Sequence, residues 1–335
     1  MTRRERVIKA LEFEETDFVP WQISMTGPAR QSFADYVGHG DIEEILGNHL
    51  YDVCDVGMDG MSEERPGFFR DEFGVLWDRT VDRDIGNPCE MPLSLPTLEG
   101  CTWPDPTDEH RFEQIADSIE RGKDRFLVCD VGFSLFERAW TMRGMQNLLV
   151  DMLRHEDFVH ELMDAICEWN MAYVARVLEH PIDAVLFGDD WGHQRGLIMG
   201  PTLWRKFIKP RIARMYGQVR DAGRMVYIHS CGKVDELFDE LVEIGLNIFN
   251  PFQPDVMDTF ALARRYKGRL AFCGGISVQR LLPYGTPEEV RGEVLRILRE
   301  IGAGGGYIAA PSHAIPKDVP VENIMALWET LRDQA

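Results

Sequence analysis

No run of 18 consecutive apolar residues occurs in the 335-residue chain, which argues against a membrane-spanning helix. The opening Thr2-Arg3-Arg4-Glu5-Arg6 lacks the apolar centre of a secretory leader, so a cytoplasmic protein with no membrane role is expected. Cysteine is sparse: seven residues, an odd number, with no Cys-x-x-Cys pair and no tight spacing. Reduced thiols, most of them filling the core, are the expectation. Positive charge is in deficit, 36 Lys and Arg against 56 Asp and Glu, and a net charge of −20 repels phosphate backbones, so nucleic acid is excluded as a partner. Internal repeats, low-complexity tracts and linkers are missing as well.

Several catalytic signatures are also absent. No Gly-x-Ser-x-Gly elbow is found. His155-Glu156 and His160 have a spacing of five rather than the four of a zinc-protease helix, and they are expected at a solvated helix start. Gly302 and Gly304 to Gly306 lack the Lys-Ser/Thr of a phosphate loop and precede a strand, which suits a helix end and a tight turn.

What the sequence does contain is alternation. Segments rich in β-branched and aromatic residues at 17–24, 50–57, 126–133, 184–190, 225–231, 246–253, 270–276 and 305–311 are each followed by apolar residues three and four apart. Eight such strand-helix units in an α/β chain predict a (β/α)8 TIM barrel, residues 1–335 forming one domain. Helix starts are legible at Thr2 with Glu5 and at Thr286-Pro287-Glu288-Glu289, both of capping-box form. One long amphipathic helix runs from Phe158 to Val177. Residues 59–110, after the second strand, break the alternation with many prolines and glycines and a strand-like run from Phe73 to Val81; they are predicted to be an inserted lid.

In a barrel the chemistry sits at the C-terminal strand ends. There the chain carries Gly188-Asp189-Asp190, His229-Ser230-Cys231-Gly232, Asn250-Pro251-Phe252-Gln253, Cys273-Gly274-Gly275 and Pro311-Ser312-His313. Residues two apart on a strand share a side, so His229 and Cys231 would present an imidazole and a thiolate to one point, a donor pair suited to Zn2+. A third ligand must come from elsewhere: His313 first, then Cys273, then Asp189 or Asp190. The bland alternative is a core histidine beside a small buried thiol. Neighbouring strand residues point to opposite faces, so one of Asp189 and Asp190 is expected in the mouth, to bind substrate, orient a ligand or act as base, the bland alternative being an Asp that caps the next helix.

Six segments together resemble the uroporphyrinogen decarboxylase superfamily over nearly the whole chain: Phe136-Glu137-Arg138-Ala139-Trp140 through Gly144, Gly188-Asp189-Asp190, His229-Ser230-Cys231-Gly232, Asn250-Pro251-Phe252-Gln253, Gly274-Gly275-Ile276 and Gly305 through His313. The resemblance implies a (β/α)8 barrel and one of two chemistries, cofactor-free porphyrinogen decarboxylation or zinc-dependent methyl transfer serving corrinoid proteins or coenzyme M. The methyltransferases hold zinc with His-x-Cys and a distant Cys. Here His229 and Cys231 match the first two, and His313 falls where the third would be. The decarboxylases carry an arginine cluster after the first strand, whereas Trp21 to Arg30 holds one arginine. The resemblance therefore implies a zinc methyltransferase using a small O-, N- or S-methyl donor. His229, Cys231 and His313 would bind metal, Asp189, Asp190 and His313 would serve catalysis, and Asn250, Gln253, Trp191 and Tyr307 would contact substrate. Any corrinoid would arrive on a separate protein, and a homodimer is compatible. The alternatives are a metal-free lyase acting on a carboxylic acid and a non-catalytic barrel that docks a corrinoid protein.

Overall fold

The computed structural model describes residues 1–38, 40–56, 60–81 and 85–334. Residue 57, expected at the end of the second strand, and residues 59 and 82–84 of the expected lid lie outside that set. Seven parallel strands form the main sheet: β1 Leu50–Val56, β2 Phe126–Val131, β3 Ala184–Gly188, β4 Met225–His229, β5 Ile248–Phe252, β6 Ala271–Ile276 and β7 Tyr307–Pro311. Spatial order follows chain order, each strand pairing with the next, as crossover helices returning to the same end of the sheet require.

Side-chain alternation sorts these strands into two layers. Leu50, Phe126, Val128, Ala184, Tyr227, Ile248, Ala271, Cys273, Ile308 and Ala310 come from all seven strands yet form one cluster with Val7 and Leu11 of the helix Arg3–Leu11. Seven strands can share one small cluster only if the sheet curls around it. Residues of opposite parity, such as Leu127, Val185, Val226, Phe249 and Phe272, pack outward against the helices in the larger core.

The expected first strand, 17–24, is the point at which the sequence reading needs correction. It contributes two isolated bridges, Trp21 to Ala309 and Met25 to Ile315, rather than a regular strand. Toward β7 its bonds are backbone to backbone: Gln22 N donates to Ala309 O at 2.9 Å and Ala309 N to Pro20 O at 2.8 Å. Toward β1 side chains replace much of the ladder, Ile23 N donating to Asn48 Oδ1 at 2.8 Å and Leu50 N to Gln22 Oε1 at 3.2 Å. The segment is bonded to both edges of the sheet, but its backbone pairs regularly with neither.

Between β1 and β2 lies a four-stranded antiparallel sheet, Ser62–Arg65, Phe68–Arg70, Leu76–Asp78 and Asn87–Glu90. Phe73, Val75, Trp77 and Leu93 of this region join the main core. Both capping boxes form, at Thr2 with Glu5 and at Thr286 with Glu289. The long helix runs Glu156–Val177. His160 departs from its expected solvated setting, since its Nδ1 meets Arg211 Nη2 at 3.1 Å and its ring rests against Phe207. The reduced-thiol expectation fails at one pair, because Cys54 and Cys129, register partners on β1 and β2, are disulfide-bonded. Cys89, Cys101, Cys167, Cys231 and Cys273 are free.

Candidate metal centre

His229 is the last residue of β4 and shares the parity of Tyr227, so its ring enters the concave side of the sheet. Cys231 follows two residues on, and His313 lies two residues beyond β7. Two strands, β5 and β6, separate β4 from β7. On a flat sheet three spacings of about 4.8 Å would hold these side chains some 14 Å apart. Yet one ligand atom from each of His229, Cys231 and His313 lies within 4.8 Å of the others. Curling of the sheet brings them together.

The donor set suits zinc. Cys231 Sγ is 3.5 Å from His229 Nε2, close to the edge of about 3.6 Å expected for a tetrahedron with Zn–N near 2.05 Å and Zn–S near 2.3 Å. His229 is also oriented from behind. Its Nδ1 donates to Asn250 Oδ1 at 2.6 Å, and Asn250 Nδ2 donates to Cys273 O at 3.0 Å. That second bond fixes which end of the Asn250 amide accepts, and so places the imidazole proton on Nδ1 and a lone pair on Nε2, toward Cys231.

Asp190 binds the other half of the site. Its Oδ1 accepts from Cys231 N at 2.7 Å and lies 3.9 Å from His229 Nε2. Asp189, one residue earlier, is fully buried on the outer face. It accepts from Glu137 N at 2.8 Å, Leu135 N at 3.3 Å and Trp191 Nε1 at 2.5 Å. It thereby caps the helix Phe136–Arg143, which its own segment does not join. Burial pushes the Asp189 carboxyl up to about 6 even with those donors present. Burial likewise pushes the Cys231 thiol well above its ordinary value, with Asp190 and Glu137 adding to the shift. His313 is exposed at the rim, and partial desolvation of its ring and then the neighbouring His229 hold it below the usual histidine value.

The other expected residues fall in different places. Cys273 is 2% exposed in the inner core, and burial pushes its thiol up to about 11. Trp191 is buried against Trp204, and Tyr307 is buried with its hydroxyl donating to Gly274 O at 2.5 Å. Gln253 accepts from Gly232 N at 2.6 Å and lines a cavity beside the three ligand atoms. Arg30 pairs with Glu43. Sequence reasoning assigned no role to Glu137, whose carboxyl is pushed well above the usual carboxylate range by burial, then by Asp190 and Asp189. The available signal was its place in the Phe136-Glu137-Arg138 run, one residue into a helix that begins just after β2.

A family model described as uroporphyrinogen decarboxylase (URO-D) matches residues 90–334. Among curated proteins, a uroporphyrinogen decarboxylase of Thermus thermophilus is 27% identical over 185 residues, 55% of this chain and 51% of that protein, so the match spans about half the relative's length. That of Chlorobaculum tepidum is 23% identical over 254 residues, covering 69% of this chain and 68% of its own. Among solved structures, a methyltransferase from Methanosarcina mazei superposes with a TM-score of 0.77 over 100% of this chain and 99% of that one at 18% identity, which is a likeness of fold. With 245 consecutive residues under the family model and its strand-end motifs gathered in one cup, the chain belongs to the uroporphyrinogen decarboxylase family.

Proposed function

We propose that His229, Cys231 and His313 hold a zinc ion and that the protein is a methyltransferase, moving a methyl group from a small O-, N- or S-methyl donor to a corrinoid protein or a thiol. The observation that carries this reading is the convergence of two imidazoles and a thiol within 4.8 Å at the C-terminal end of the sheet, with the ring of His229 already oriented by Asn250. Three protein ligands leave a fourth position open, the usual arrangement of a catalytic rather than a structural zinc. When bound, zinc supplies Lewis-acid polarisation of the donor heteroatom or holds a thiol as thiolate. Asn250 orients His229, Asp190 anchors the backbone of Cys231, and Asp189 fixes the helix that presents Glu137. On this reading the 20–26 segment closes the sheet into an eight-membered barrel, the antiparallel insert serves as its lid, and corrinoid is carried by another chain.

A metal-free decarboxylase is the second reading, favoured by the names of the curated relatives. Against it, no arginine or lysine is found among the described residues lining the cavity at the cup, so a carboxylate would find neither of those cationic side chains there. Metal analysis of the purified protein separates the two. About one zinc per chain is expected, falling below a tenth of an equivalent in Cys231→Ala and His313→Ala, with methyl transfer to a Co(I) corrinoid lost in both. Wild-type protein without zinc, with activity untouched by chelator, would remove the methyl-transfer reading. Zinc-loaded protein that binds a corrinoid protein without turnover would leave a docking barrel.

A further inference from the structure

A cavity of about 380 Å3 opens beside the three ligand atoms, walled by Cys231 and His313 on one side and by His193, Gln194, Gln253 and Gln279 on others. Among the described residues that line it there is no lysine, arginine, aspartate or glutamate. Two cations adjacent in sequence to the wall are paired, Arg280 with Asp255 at 3.6 Å and Lys233 with Asp235 at 3.2 Å.

Gln253 is the informative member of the wall. It is 5% exposed, and its Oε1 is taken by the Gly232 N–H at 2.6 Å, which fixes the orientation of the amide. Its Nε2 has no hydrogen-bond partner among the described residues. Gln253 lines the cavity, so that N–H is open to water there, and a molecule that brings an acceptor can take the water's place.

We propose that this cavity takes a small uncharged molecule whose hydrogen-bond-accepting oxygen meets Gln253 Nε2, and that it discriminates against carboxylates, phosphates and ammonium ions of the same size. The proposal deepens the methyl-transfer reading and rests on it for treating the cavity as the donor site. Three probes of one shape test it: methoxyacetamide, methoxyacetate and methoxyethylammonium. Their dissociation constants are measured by ligand-observed NMR on the purified protein, with zinc content determined on the same sample. The amide is expected to bind about tenfold or more tightly than either ion, a difference of 1.4 kcal/mol. Gln253→Glu keeps the acceptor for Gly232 and removes the donor; it should cost the amide about tenfold with little change in melting temperature. Equal or tighter binding of either ion, an unchanged amide affinity in Gln253→Glu, or no amide binding would overturn the proposal. Zinc-loaded protein with the ranking reversed would sink this inference alone. The expected ranking on protein that never holds zinc would keep the cavity's preference and remove methyl transfer.

Discussion

At Asp189 and Asp190, identical side chains one position apart meet opposite environments, because successive strand residues point to opposite faces. Asp190 enters the cup and Asp189 is sealed behind it under three N–H donors. The alternation was legible in the sequence. Which helix Asp189 would cap was not, since Leu135 and Glu137 lie more than fifty residues earlier. His49 shows how strongly burial can act at a single residue. It is 1% exposed, with Nε2 3.1 Å from Arg6 Nη1, and a guanidinium can only donate, so that nitrogen must be unprotonated. Burial and then Arg6 pull the imidazole down to about 3. Because the folded-state value lies below the ordinary one, the neutral form belongs to the fold. The associated stability is complete above about pH 6.5 and is lost as pH falls toward 3. By pH 5 the loss should be on the order of 2 kcal/mol, read from urea titrations, and His49→Gln should flatten that slope. Asp17, held down at about 2 by Arg6, acts in a separate window below pH 4, where its stabilising contribution is lost as pH falls. A wild-type slope shared by His49→Gln would reject the assignment.

Among elements, the insert and the helix Phe136–Arg143 are joined through one buried ion pair. Asp71 accepts from Phe73 N, Val75 N and Trp77 Nε1 and receives Arg138 Nη1 at 3.0 Å, while the guanidinium lies 4.0 Å from the Phe73 ring. Asp71→Ala removes the carboxylate hydrogen-bonded to that buried cation and should cost about 3–5 kcal/mol of unfolding free energy. A loss under about 1 kcal/mol would show that the insert is coupled to the helix by other contacts. Strand positions were read to within a few residues because parallel strands are near-continuous apolar runs. The 20–26 segment resisted that reading because side chains of Gln22 and Asn48 complete its hydrogen bonding. The Cys54–Cys129 pairing resisted it too, since strand register joins residues 75 apart. Tyr307 and Trp191, expected at the substrate, are buried in the larger core, and aromatic residues at strand ends carry no mark that separates the two settings.

Over the whole molecule, the proposed ligands come from the middle of the sheet and from its last strand, and this spacing ties metal binding to global stability. A ligand that binds only the native state adds RT ln(1 + [L]/Kd), so free zinc at about a hundred times its dissociation constant should raise the unfolding free energy by about 2.7 kcal/mol. The shift is read as an increase in the urea midpoint that chelator reverses; no shift in a protein shown to bind zinc would mean that the ion also binds the unfolded chain. His313 and Cys231 lie on segments whose strands are separated by β5 and β6. An ion gripped by both is a cross-brace between the centre of the molecule and its tail. Opening of the segment that carries His313 would remove one ligand while His229 and Cys231 stay in place, so the ion's dissociation rate would rise with how often that segment opens.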